Sequence, residues 1–217
     1  MLKLIFYPSL YFCFLTAGLF AQSGQETGDE SVLWTPPRAI PLNTEKRSEL
    51  FDGMPSSWLS LSAPQLSFRW IPGNDWLLGP GEGESSLTFV KRLDPSLQMQ
   101  LFLFPEEGSL NDLEAESLKR YASSLPGQYP GMELMVESLR FSRPGIGRPL
   151  LLDGSYRKVD YQLGLKADDG PSVHVIDLLT LVEGEHLFVL RFQGSERFIA
   201  AIESKLDAEI TRFHLEE

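Results

Sequence analysis

Apolar and polar positions alternate most clearly between Gln65 and Gln193. Gln65–Ile71 alternates and predicts a strand, Pro72–Asp75 a turn, and Trp76–Leu78 a return to the core. Leu87–Leu93 predicts the next strand and Leu97–Phe104 the one after it. In the latter, Leu97, Met99, Leu101 and Leu103 share one face, and Gln98, Gln100, Phe102 and Phe104 share the other. The period then lengthens. Leu110, Leu113, Leu118, Tyr121 and Leu125 fit one helical stripe, which starts near Ser109 and stops at Pro126-Gly127. Ser109 and Asp112 have capping-box spacing. Val136–Phe141 and Gly154–Leu165 predict two further strands, with Asp168-Asp169-Gly170 as a turn.

The strongest signal follows. Ser172–Val182 is apolar and β-branched, as a strand buried on both faces would be. Glu183-Gly184-Glu185 predicts a tight hairpin, and His186–Gln193 the returning strand. Gly194 ends the sheet and Ser195 can cap a helix. Phe198, Ile202, Leu206, Ile210 and Phe213 then form a stripe on one final helix, with His214 at its C-terminus.

Residues 22–60 carry a weaker pattern. Gln22–Ser31 is Gly, Ser, Gln and acid, and Trp34-Thr-Pro-Pro37 is extended by its prolines. Thr44–Phe51 reads as a short helix ended by Gly53 and Pro55. The expected organisation is a leader at 1–21, a flexible Pro/Ser-rich extension at 22–60, and a single α/β domain at 61–217. Trp34 and Trp58 are the points at which the extension could dock.

The leader changes the picture. Lys3 precedes an apolar run from Leu4 to Phe20, and Ala21 or Gly18 offers a cleavage site. That is the pattern of a secretory signal peptide, and the alternative is a retained membrane anchor. The expected location is therefore exported, periplasmic or secreted, or membrane-anchored if residues 1–21 stay. Cys13 is the only cysteine and lies inside the leader. A processed chain therefore has no disulfide and depends on its core.

Net charge is −11 over 217 residues, and −12 once Lys3 leaves with the leader. Such a chain repels phosphate backbones, which argues against nucleic acid and, after cleavage, against anionic membrane as partners.

The order of elements resembles the PsbP/Mog1p-like group of α/β/α sandwiches. Three stretches carry the resemblance: Phe68–Trp76 as the opening strand, proline and tryptophan; Leu97–Leu125 as strand and helix; and Tyr156–Phe213 as strand, hairpin and terminal helix. The resemblance covers about residues 61–217. It implies an α/β (α+β) fold, a mainly antiparallel sheet of about six strands with helices on both faces. It also implies a protein that binds or assists other proteins and is not an enzyme.

Signals for catalysis are weak. Gly79–Glu84 is glycine-rich, but Glu82 and Glu84 repel phosphate and no Lys-Ser/Thr follows. His174, His186 and His214 lack metal-ligand spacing. No Gly-x-Ser-x-Gly elbow exists. Arg143 and Arg148 form a small basic pair in a loop, and the acid pairs Glu106/Glu107 and Asp168/Asp169 sit at turns. No catalytic residue, metal site or cofactor is expected.

Asp177 is the exception and the one candidate binding residue. Alternation puts it on a face with Val173, Val175, Leu179 and Leu181, and the hairpin is expected to add Phe188, Leu190 and Phe192. A carboxylate there needs a partner. It is either a structural acid bonded to an arginine or backbone group, or a functional acid at a binding site. The expected function is an exported, non-enzymatic binding or accessory protein, whose partner is another envelope or secreted protein or a small molecule. The alternatives are an exported hydrolase built on carboxylates and a membrane-tethered structural component.

Overall fold

The computed structural model describes residues 34–73, 75–79, 86–105, 110, 112–129, 131–165, 172–183 and 186–216. The leader, residues 22–33, most of the glycine-rich loop, Ser109, and the turns at 106–108 and 168–170 lie outside these residues. Their expectations are not addressed by the structure.

Among the described residues the strands form two antiparallel sheets. The larger runs β4 (Trp76–Leu78), β5 (Leu87–Lys91), β6 (Asp94–Phe104), β10 (His186–Gly194), β9 (Val173–Val182), β8 (Tyr156–Leu165) and β7 (Met132–Ser142). It therefore has seven strands where about six were expected. The smaller sheet runs β1 (Asn43–Phe51), β2 (Met54–Ser62), β3 (Ser67–Trp70) and β11 (Phe213–Leu215).

Strand alternation sorts the core into two layers. On one face of the large sheet, Met99, Leu101, Ile176, Leu178, Phe188 and Leu190 pack with Phe68 and Trp70 of the small sheet. The helices α2 (Glu196–Glu203) and α3 (Leu206–Ile210) join that layer through Ile199, Ile202, Leu206 and Ile210. On the other face, Val159, Tyr161, Val175, Leu179 and Val189 pack under α1 (Ala115–Gln128). Helices on both faces of a mainly antiparallel sheet are the expected class.

Three local expectations are corrected. Thr44–Phe51 is not a helix: β1 pairs residue for residue with β2. Asp52 and Gly53 both take positive φ, +49° and +77°, which is the backbone of a two-residue hairpin turn. An Asp-Gly pair is a hairpin signal, and reading it as a helix stop missed the strand. The expected domain start at residue 61 consequently falls inside β2.

The final helix is also not continuous. It breaks at Ser204-Lys205, where Lys205 N–H donates to Ile202 O at 2.8 Å. Phe213 and His214 lie in β11, where Phe213 pairs with Trp70 and stacks on its ring. The apolar stripe survives the break because every member still faces the same layer. His214 therefore owes nothing to a helix terminus.

The third correction concerns register. Val182 pairs with His186, so Asp177 pairs with Arg191 and Val175 with Gln193. Leu187 and Val189 share the Asp177 face, and Phe188, Leu190 and Phe192 point to the opposite one.

α1 begins at Ala115, later than expected. Asp112 prepares its start by accepting Glu114 N–H at 3.0 Å and the Ser117 hydroxyl at 2.6 Å. The helix continues two residues past Pro126 before Tyr129 N–H folds back onto Pro126 O. β7 is the outer strand beside it. Between the Met135–Gln162 and Arg140–Asp160 pairs, four β7 residues stand opposite one of β8. Ser138 Oγ accepts the Gln162 N–H at 2.7 Å within this bulge, a device that blunts a sheet edge.

Candidate functional site

Asp177 sits at the centre of the large sheet, fully buried. The paired strand sets Arg191 directly beside it. Arg191 Nε donates to Asp177 Oδ1 at 2.7 Å and Nη2 to Oδ2 at 2.9 Å, a two-pronged ion pair. Tyr121 from α1 and Tyr161 from β8 donate their hydroxyls to Oδ2 at 2.6 and 3.0 Å. Arg191 Nη2 also reaches Gln128 Oε1 at 3.2 Å. The Phe102 and Tyr129 rings lie 5.2 and 5.4 Å from the guanidinium carbon, within cation–π range.

This cluster is closed on itself. Both carboxylate oxygens and the guanidinium nitrogens Nε and Nη2 have partners, as burial of an ion pair demands. Burial is the largest single influence on Arg191 and pushes it down, but the Asp177 charge, joined by Tyr129, Tyr161 and Tyr121, outweighs it and holds the guanidinium protonated well above its ordinary range. Burial, and next the Asp177 charge, pushes the Tyr121 hydroxyl well above 10.0. Burial does the same to Tyr161, against the pull of Arg191.

These tyrosines set an alkaline limit. Unfolded tyrosine ionises near pH 10, whereas the folded hydroxyls hold their protons. Their stabilising contribution is therefore complete below about pH 10 and declines as pH rises toward the folded values. Between about pH 9 and about pH 11, wild type should lose more stability in denaturant melts than Tyr161→Phe. Equal losses would contradict the buried placement of Tyr161.

The surface offers a different arrangement. A cleft of ≈ 180 Å³ opens between the start of α1 and the adjoining ends of β7 and β8. Leu113, Leu118 and Phe141 give it apolar walls, and Arg143 and Arg157 line it as well. Phe141 is 40% exposed. Glu114 bridges the two arginines: Arg143 Nη2 donates to Oε2 at 2.7 Å, and Arg157 Nη2 lies 3.6 Å from Oε1. The Arg157 side chain is only 15% exposed, and its Nε has no hydrogen-bond partner among the described residues.

Comparison with solved structures fits this architecture. The solution structure of cyanobacterial PsbP (CyanoP) from Synechocystis sp. PCC 6803 superposes with a TM-score of 0.50 at 14% identity, covering 82% of this chain and 94% of that one. The chain has a PsbP/Mog1p-like fold. The Ran-binding protein Mog1p of Saccharomyces cerevisiae gives a TM-score of 0.44 at 11% identity, over 80% of this chain and 96% of its own. No protein-family model and no curated protein sequence matches the chain.

On this PsbP/Mog1p-like frame the other singled-out residues disperse. His174 Nε2 is 2.6 Å from Asp160 Oδ1. His186 opens β10, and His214 is in β11, so the three imidazoles do not share one strand. Arg148 pairs with Asp207 of α3, away from Arg143 with its Glu114. Sequence reasoning missed Arg157 and Glu114. They are 43 positions apart, and only the packing of α1 against β7 and β8 brings them together.

Proposed function

We propose that the chain is a non-enzymatic binding or accessory module, exported to the cell envelope or beyond, that engages another protein. One observation carries this reading. The reactive groups at the heart of the fold, Asp177, Arg191, Tyr121 and Tyr161, are committed to one another under the sheet. Among the described residues an apolar cleft edged by arginines opens to solvent, and such a site suits recognition better than proton transfer. A hydrolase would need two carboxylates converging on a cleft, whereas the carboxylate at this one, Glu114, is held by two cations. The PsbP/Mog1p-like fold and the Lys3–Ala21 leader pattern support the same reading.

The test is retention. The exported chain, immobilised, should hold one or a few envelope or secreted proteins from an extracytoplasmic extract at near-stoichiometric amounts. An unrelated domain of the same size and net charge should not. Identical retention by both would defeat the proposal.

A further inference from the structure

The cleft at the start of α1 runs against the charge of the molecule. The chain carries −11, yet the charged residues lining this opening are Arg143 and Arg157. We propose that the cleft docks an acidic peptide segment of a partner protein, whose carboxylate displaces Glu114 from between Arg143 and Arg157 while a neighbouring apolar side chain enters between Leu113, Leu118 and Phe141. The inference rests on the binding-module reading and gives it a site and a ligand chemistry.

Glu114 marks where the incoming carboxylate goes. It and Arg143 are each 64% exposed, so their pair is screened by solvent and gives way at little cost. Arg157 is different. It is largely buried, its Nη1 reaches Tyr156 O only at 3.3 Å, and its Nε is unpartnered among the described residues. The 3.6 Å approach of its Nη2 to Glu114 is too long for a hydrogen bond. A carboxylate entering deeper than Glu114 satisfies donors that Glu114 leaves unmet, and two-pronged contacts of this type are strong.

Size and position favour a peptide over a free small molecule. A volume of ≈ 180 Å³ is below the roughly 300–1,000 Å³ of sites that enclose whole ligands. It matches one anchoring side chain, which is how peptide interfaces concentrate their affinity. The cleft also opens at the end of β7, the last strand in the order of the large sheet. A peptide there would run beside that outer strand at its Phe141–Ser142 end, past the bulge at residues 136–139.

The experiment uses fluorescein-labelled hexapeptides that place Leu or Phe beside Glu, their Glu-to-Gln counterparts, and decanoate as a carboxylate without a peptide backbone. Binding to the intact exported chain is read by anisotropy. The Glu peptides should bind saturably, and the Gln counterparts about tenfold or more weakly. Arg157→Gln should weaken the Glu peptides about tenfold. Arg143→Gln, at an exposed position whose ion pair is screened by solvent, should weaken them several-fold while leaving the melting curve nearly unchanged. Glu114→Gln should strengthen them about two- to fivefold, because it removes the resident competitor. Weaker binding by Glu114→Gln, equal binding of Glu and Gln peptides, or binding of decanoate alone would overturn the proposal. If the Arg143→Gln/Arg157→Gln chain still retains its envelope partner at wild-type level, the cleft assignment fails while the binding-module reading stands. If no partner and no peptide is held even by wild type, both fall.

Discussion

Arg191→Ala should destabilise the protein by about 3–5 kcal/mol, the range for breaking a buried ion pair from one side. The substitution leaves Asp177, fully buried, with two tyrosine hydroxyls and no counter-charge. It also removes the cation that lies 5.2 Å from the Phe102 ring and 5.4 Å from the Tyr129 ring. Asp177→Asn should fall in the same direction, since it strands the guanidinium. The two effects are not additive, because each single change is costly for the partner it orphans. Asp177→Leu combined with Arg191→Met should therefore cost far less than the sum of the single losses. Urea melts of Asp177→Leu, of Arg191→Met and of the double that combines them give the coupling directly. An Arg191→Ala protein within about 1 kcal/mol of wild type would contradict the closed cluster.

Trp34→Ala should cost about 3–5 kcal/mol, as large-to-small changes at buried aromatic positions do. Trp34 is 9% exposed, and its ring lies 5.6 Å from Tyr121 and edge-on to Phe104 at 6.0 Å. The chain after it is held as well: Ile40 N–H donates to Leu103 O at 2.7 Å, and Ala39 is buried in the same layer. Tyr121 is the link to the polar cluster, since the ring that Trp34 covers carries the hydroxyl bonded to Asp177. Trp34→Ala should thus couple to Arg191→Ala in a double-mutant cycle. A loss below about 1 kcal/mol would show that the residues before β1 are dispensable for folding, as a flexible extension would be.

The large sheet was legible because its strands announce themselves. β6 alternates cleanly, and the run in β9 is too apolar and β-branched for a surface helix. Register was harder. β10 carries large apolar residues at both parities, Leu187 and Val189 on one face and Phe188, Leu190 and Phe192 on the other. With both faces buried, alternation accepts either pairing. Loop length decides: three residues separate Val182 from His186, so residues of like parity share a face and Asp177 meets Arg191.

The α2–α3 break was hidden because the apolar spacing continues through it. Phe213 left the helix because β3 offered a strand edge, a tertiary reason that no local pattern carries. The candidate acid was found from its anomalous position. The cleft was not, because Glu114, Phe141, Arg143 and Arg157 are ordinary residues until α1, β7 and β8 converge.

In the proposed reading the polar cluster holds the fold while binding happens at the cleft. Proton–nitrogen correlation spectra of the exported chain, titrated with the Leu-Glu hexapeptide, locate the ligand without any substitution. Shift changes should centre on Leu113, Phe141, Arg143 and Arg157. Changes centred on Asp177 and Arg191, with the cleft unmoved, would contradict it and make the buried acid the binding residue.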